Sequence, residues 1–289
     1  MTKGIVLFGV NNSHVDYVKL AMIASAFARA NMSELNICLI TDNASKNVHD
    51  ESELKKYFDD IVIMDEVQNL FTNIRTYRNT QNISVKSEFK NEGRASIYSL
   101  SPYNETLLID VDYLICNNSL DAVWGNTSNV LINKQARTFK DDFMQANDTR
   151  LNDFGIPMYW ATVIYFKKCD DAEMLFSLVD FIKEHWEFYQ SRYKFPGSLF
   201  RNDYAFSIAI HLMNGYTESS DYFQSLPIDR ILTVTDNDKF YKIRNKNTMS
   251  FFLSNNNSFL LTETSGLNVH CMNKLSILEN ELSILETLK

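Results

Sequence analysis

The chain opens on an alternation that few folds accommodate. Gly4 to Val10, "GIVLFGV", is a short apolar run with β-branched residues and reads as a buried strand. "YVKLAMIASAFARAN" then spaces its apolar residues as a helix does, with Asn31 at its end. "NICLITDN" is a second buried strand ending near Asp42, "ESELKKYF" suggests a short helix, and "DDIVIMD" a third strand. Strands that are apolar throughout, rather than at every second residue, have both faces covered. The β-α-β-α-β order therefore predicts an α/β fold: a mostly parallel central sheet flanked by helices.

The remainder extends that plan. "GRASIYSLSPY" looks helical and ends near Pro102, "ETLLIDVDYLIC" reads as one strand, and "NVLIN" is a short apolar piece. Positions 141–157 read as helix or loop, and "MYWATVIYFKK" as a long strand. "AEMLFSLVDFIKEHWEFYQSRY" predicts one amphipathic helix, and "YAFSIAIHLMNG" another, stopped at Asn214-Gly215. "RILTVTDNDKFYKIRNKN" has the look of a hairpin turning at "DND", and the tail spaces its leucines and isoleucines as a C-terminal helix does. No repeat or linker divides the 289 residues. One domain is expected over 1–289, with a ligand-binding half (1–125), a second half (126–264) and a closing loop and helix (265–289).

Charge and composition narrow the function. A net charge of −8 gives the whole molecule no pull toward nucleic acid, though a local basic cleft would. No apolar run approaches the roughly 18–20 residues of a membrane span, so no membrane partner is expected. The start lacks the features of a secretory signal. The 4 cysteines are far apart with no CxxC, and three lie in or beside apolar runs. They read as reduced, which places the chain in the cytoplasm. Neither GxGxxG nor GxxxxGK[ST] occurs, so dinucleotide and P-loop readings fail.

The anomaly is Asp110 and Asp112, placed in the middle of an apolar strand. Two buried carboxylates are costly unless something neutralises them. Ligands in open α/β sheets bind beyond the carboxyl ends of the strands. Alternation puts both aspartates on one face there, where Mg²⁺ or Mn²⁺ takes one or two carboxylates plus substrate phosphates. The bland reading is two carboxylates capping turns at a strand's exit. "SGLNVHCMNK" tips the balance: His270 can complete a metal shell, and Lys274, four residues on, can neutralise a diphosphate.

These pieces together resemble the GT-A glycosyltransferases, in particular the glycogenin-like family, in order across most of the chain. The opening strand and "LITDN" resemble the nucleotide-binding half. "GRASIYSLSPYNETLLIDVDYLI" resembles the family's Arg-bearing helix and its Asp-x-Asp strand, "RNDYAF" its Asp-Gln-Asp segment before a helix, and "VHCMNK" its late His and Lys. The resemblance implies Arg94 on the donor, Asp110, Asp112 and His270 on the metal, and Lys274 on the diphosphate. It implies Asp203 as catalytic, with Arg201 where the family has another acid. The implied cofactor is Mn²⁺ or Mg²⁺ and the implied donor a UDP-sugar. The family's Asn-x-Gly is absent, with Ala161 and Val163 in its place, and the His–Lys spacing is shorter than the family's.

Further candidates carry two readings each. Asp203 opens a helix, so it is either an N-cap or a carboxylate aimed into the cleft: a general base if the enzyme inverts, a stabiliser of the oxocarbenium-like sugar if it retains. Asp42 holds base or ribose, or caps a turn. Val10, Asn11 and Asn12 follow the first strand, where they contact the nucleotide or form a turn. Tyr159, Trp160 and Trp124 stack on sugar or base, or pack in the core. Lys239, Lys242, Arg244 and Lys246 interleave with Phe240 and Tyr241 as DNA-binding segments do, or form a solvated face. With 8 Gly, 4 Pro and heavy Asn, Lys and Ile use, the chain fits an AT-rich coding sequence, as in phages and low-GC bacteria. Small phage enzymes of this kind point to a hydroxymethylated base in DNA as acceptor. The alternatives are a bacterial glycan or protein acceptor, a sugar-nucleotide nucleotidyltransferase, or an inactive binding module. The nucleotidyltransferase reading lacks its Gly-rich basic loop, since "GVNNSHVD" stands there.

Overall fold

Strand β1 (Lys3–Phe8) and strand β2 (Asn36–Thr41) bury nearly every position, as their unbroken apolar runs require. Between them helix α1 (Tyr17–Asn31) begins at Asp16, whose carboxylate accepts the Lys19 N–H at 3.0 Å. Each fully buried Leu, Ile or Phe on this helix stabilises the fold by about 1.5–3 kcal/mol. Gly9 lets the chain leave β1 tightly: a Cβ there would stand 2.9 Å from the Tyr17 carbonyl oxygen. Helices α2 (Asn43–Lys46) and α3 (Glu51–Leu54) are single turns capped by Asp42 and Asp50, and lead to strand β3 (Asp60–Ile63). The computed structural model describes residues 2–64, 73–78, 84–90, 92–139, 150–151, 156–194, 199–218, 223–255 and 258–289.

A hairpin of β4 (Ile74–Arg78) and β5 (Ser84–Glu88) stands apart from the larger sheets. It is fastened to the turn after β1, where Asn12 Nδ2 donates to the Glu88 carbonyl at 2.7 Å and to the Tyr77 hydroxyl at 3.2 Å. A 3₁₀ turn (Glu92–Ser96) and helix α4 (Ile97–Leu100) precede strands β6 (Glu105–Ile109) and β7 (Tyr113–Leu114). Then come β8 (Val130–Asn133), β9 (Ala136–Thr138), β10 (Arg150–Leu151), β11 (Ile156–Pro157) and β12 (Trp160–Lys167). Helices α5 (Asp170–Glu184), α6 (Trp186–Tyr193) and α7 (Asn202–Met213) are followed by β13 (Phe223–Gln224) and β14 (Ile231–Val234). Strands β15 (Lys239–Asn245), β16 (Thr248–Asn255), β17 (Ser258–Ser265) and β18 (Val269–Cys271) lead to helices α8 (Lys274–Leu278) and α9 (Glu281–Thr287).

Two sheets decide where chemistry can happen. The central one has the order β13-β8-β12-β6-β1-β2-β3, and all its strands run one way except β12, which is antiparallel to both neighbours. This is the mostly parallel, helix-flanked α/β sheet expected from the sequence. The second sheet has the order β7-β18-β14-β9. Helix α1 packs beside β2, β7, α8 and α9, while α5 and α7 pack together, with α7 against β12. Because β12 is reversed, its first residues lie at the same sheet edge as the carboxyl ends of β1 and β6.

Four readings of the sequence need correction. The run from Glu105 to Cys116 is not one strand: β6 stops at Ile109, and the two aspartates lie in the turn that carries the chain from the central sheet into the second. The long amphipathic helix is two, because His185 (φ −110°, ψ 30°) leaves helical geometry while Trp186 remains buried. The supposed hairpin at "DND" is not one, since β14 pairs with β9 and β18, and β15 with β16. The C-terminal helix is the pair α8 and α9. Positions 141–157 lie mostly outside the described residues. No described helix is long and apolar enough to cross a membrane.

Candidate metal and diphosphate site

Asp110 follows β6 directly. Its N–H still completes the ladder, donating to the Thr162 carbonyl at 2.9 Å, and then the chain turns: the Tyr113 N–H donates back to the Asp110 carbonyl at 2.9 Å. Strand β7, which starts there, pairs with β18 so that His270 stands opposite Tyr113. The Cys271 N–H fixes this register by donating to the Asp112 carbonyl at 2.8 Å. His270 Nε2 thus comes to 3.4 Å from Asp112 Oδ2 and 4.0 Å from Asp110 Oδ2. Lys274 opens α8, whose start is set by Asn273: its side chain accepts the Ser276 N–H at 3.1 Å and donates to the Asp238 carbonyl at 2.7 Å. From that position Lys274 Nζ reaches Asp112 Oδ2 at 2.5 Å, both side chains being 4% exposed.

Asp110 has its own cation. Arg94, 7% exposed in its side chain, donates to Asp110 Oδ1 and to the Ala161 carbonyl. The electrostatics of the two carboxylates diverge. Burial would raise Asp112, but the Lys274 ammonium and then His270 overcome it and hold the carboxyl well below the usual range. At Asp110 burial wins: its carboxyl is raised, against the pull of Arg94 and with a push from Asp112.

Strand β12 ties the other half of the site to this turn. The Ala161 N–H donates to Asp203 Oδ1 at 2.9 Å, one residue before Thr162, whose carbonyl holds Asp110. Asp203 sits in the first turn of α7, where the helix dipole favours an anion. Its second oxygen receives Arg201 Nη2 at 2.9 Å, and that guanidinium lies 4.7 Å from the Tyr204 ring centroid. A cavity of about 350 Å³ opens between these groups, a size suited to a small ligand. Its wall includes Phe8, Val10, Arg94, Asp110, Asp112, Trp160, Arg201, Asp203, His270 and Lys274.

The site therefore collects Val10, Arg94, Asp110, Asp112, Asp203, His270 and Lys274. It does not collect Asn11, Asn12 or Asp42, which lie off the cavity wall. Asn11 receives the Val18 N–H and donates its own N–H to Ser45 Oγ. Asn12 accepts from His14 and Val15 and fastens the hairpin, and Asp42 caps α2 through the Ser45 N–H. Trp160 lines the cavity, whereas Trp124 packs edge-on against Tyr165. Lys239, Arg244 and Lys246 are engaged with Glu279, Glu263 and the Ala30 carbonyl, and neither they nor Lys242 line the cavity. Arg75 and Lys90 also stand on the cavity wall, a position with no local signal in the sequence, since nothing near them shows that the β4–β5 hairpin folds over the cavity.

Asp110, Asp112 and His270 fit a hard divalent cation in donor type: two carboxylates and an imidazole, with one ligand atom each inside 4.8 Å of one another. Two ligands about 2.1 Å from one ion lie at most about 4.2 Å apart, so the cluster closes by a fraction of an ångström to hold one. His270 Nδ1 has no hydrogen-bond partner among the described residues, unlike the outer nitrogen of most metal-bound histidines.

No protein-family model matches the chain, and no curated protein sequence matches it. Solved structures do. The glycosyltransferase GlyE of Streptococcus pneumoniae TIGR4 is 13% identical over 78% of this chain, with a TM-score of 0.42; the match covers 45% of GlyE, less than half its length. The galactosyltransferase LgtC, solved with donor and acceptor sugar analogues, is 12% identical over 71% of this chain and 69% of its own, with a TM-score of 0.44. Mouse xyloside xylosyltransferase 1 is 12% identical over 78% of this chain and 85% of its own, also at 0.44. Likeness of this degree carries no functional argument, which rests instead on the geometry of the site.

Proposed function

We propose that the chain is a metal-dependent glycosyltransferase of GT-A type that moves a sugar from a nucleotide-diphosphate sugar, with a UDP-sugar as donor, to a hydroxyl acceptor. The observation that carries this reading is the convergence of Asp110, Asp112 and His270 with Lys274 and Arg94 at one end of a cavity that holds Asp203 in its wall. A divalent cation bound by the first three would neutralise charge on the departing diphosphate. Lys274 supplies a second, fixed cation: its ammonium, now on Asp112, is in place to take a phosphate oxygen. Arg94 holds Asp110 and the Ala161 carbonyl, and so orients the carboxylate pair relative to β12.

Asp203 has both carboxylate oxygens engaged, by the Ala161 N–H and by Arg201. That arrangement suits a fixed negative charge which steadies the positive charge developing on the sugar, or orients the acceptor, better than it suits a group that takes a proton. The acceptor is a hydroxyl compound. The basic run that favoured hydroxymethylated DNA has three of its four cations engaged within the protein and none on the cavity wall, so that acceptor draws no support from the site.

The test is a panel of nucleotide sugars with Mn²⁺, scored for hydrolysis and for thermal shift, on the natural chain and on Asp112→Ala. The natural chain should bind UDP in an Mn²⁺-dependent way and Asp112→Ala should not, with its fold intact. UDP binding by the variant with unchanged Mn²⁺ dependence would defeat the reading.

A further inference from the structure

The β4–β5 hairpin sets a cation in the cavity wall that the proposed chemistry leaves unused. Arg75 projects from β4, and its guanidinium lies 5.8 Å and 5.4 Å from the ring centroids of Tyr77 and Phe89. Burial works against its charge, and the carboxylate of Asp236, with Tyr17 and Asp112 beyond it, more than compensates. Among the described residues only Nη2 of this guanidinium makes hydrogen bonds, to the two Asp236 oxygens at 3.3 and 3.5 Å, the long end for such bonds. The hairpin does not depend on that contact for docking. Arg78 donates to Asn237 at 2.6 Å, Asn12 holds the Glu88 carbonyl, and the Tyr17 and Tyr77 hydroxyls meet at 2.8 Å.

A planar guanidinium within cation–π range of two rings, with most of its N–H groups uncommitted, loosely paired, and in the wall of the same cavity as Lys274, is built for a phosphate. We propose that Arg75 is a binding residue for the diphosphate of the nucleotide ligand, resting on Asp236 in the free protein and transferring its N–H groups to phosphate oxygens when the ligand enters. With Lys274 it gives the diphosphate two basic side chains from distant parts of the sequence. This rests on the function proposed above, since it takes the ligand to be a nucleoside diphosphate.

The experiment compares Arg75→Ala, Arg75→Lys and Asp236→Asn with the natural chain by calorimetry, using UDP and inorganic pyrophosphate, each with Mn²⁺, and uridine as the phosphate-free control. Loss of a charged phosphate contact should weaken both anions about 10- to 100-fold in Arg75→Ala and leave uridine unchanged. Arg75→Lys should recover part of the loss. Asp236→Asn breaks the same ion pair but frees the guanidinium, so it should bind both anions as tightly as the natural chain or more tightly. Equal losses in Arg75→Ala and Asp236→Asn would mean that the pair merely docks the hairpin, and would overturn the proposal, as would natural affinity in Arg75→Ala. Pyrophosphate binding without UDP binding in the natural chain would refute the nucleotide-sugar reading while still testing Arg75. Binding of neither anion would refute both.

Discussion

Replacing Lys274 by Met keeps the length of the side chain and removes its charge. The ammonium and its partner Asp112 are both 4% exposed. Deleting one member of a buried pair leaves the other charge uncompensated, at a cost of about 3–5 kcal/mol. His270 Nε2 stays 3.4 Å from the same carboxylate as a polar neighbour, so the low end, about 3 kcal/mol, is expected. At an unfolding entropy of about 2.1 cal/mol/K per residue, a chain of this length loses about 1.6 °C of melting temperature per kcal/mol, so Lys274→Met should melt about 5 °C lower without metal. The pH dependence has a definite sign. Asp112 is held below its unfolded value, so its contribution is present above about pH 4 and is lost as pH falls below that. The gap between variant and natural chain should therefore be widest near neutral pH and narrow on acidification. Saturating Mn²⁺ should stabilise the variant more than the natural chain, because the cation replaces the missing ammonium. Thermal unfolding across pH, with and without Mn²⁺, measures all three quantities. A variant that melts within about a degree of the natural chain near neutral pH, or that gains no more from Mn²⁺, would refute this account of the pair.

Asp203→Asn should keep the affinity for UDP and lose about 100-fold or more of transfer, because the amide removes the charge but not the shape; steady-state rates with any active donor decide it. Burial pushes the Cys38 and Cys116 thiols up to about 12, so at pH 8 an alkylating reagent should modify the half-buried Cys169 well ahead of both, as read by peptide mass spectrometry. Raised thiol values also mean that the native state loses stability as pH climbs from about 8.5 toward 12, which alkaline melting curves will show. Gly9→Ala should lower the melting temperature by several degrees, since a Cβ 2.9 Å from the Tyr17 carbonyl forces the start of α1 away from β1.

Much of this was legible in the sequence, and the missing parts have one physical origin. The buried runs of β1, β2 and β6 announce themselves because strands covered on both faces are apolar throughout. Asp110 and Asp112 stand out against such a run, and His270 and Lys274 could be matched to them by residue type. What cannot be read is partnership between distant segments. The β7–β18 register that delivers His270, and the Ala161–Thr162 peptides that hold Arg94, Asp110 and Asp203, are backbone contacts with no side-chain signature. Arg75 was invisible as a site residue for the same reason, its cavity position being set by how the hairpin docks on Asn12 and Tyr17. The break at His185 was hidden differently: Leu175, Val179, Ile182, Trp186 and Tyr189 are all buried, so the apolar period runs on although the helix does not.

The most direct test is a crystal structure of the chain grown with MnCl₂ and UDP, with diffraction recorded at the manganese absorption edge. The account predicts one strong anomalous peak bound by Asp110, Asp112 and His270, with the diphosphate against it and Lys274 Nζ within hydrogen-bond distance, about 3 Å, of a phosphate oxygen. A metal bound elsewhere, or a diphosphate more than about 8 Å from both His270 and Lys274, beyond any ligation or hydrogen-bond reach, would contradict it.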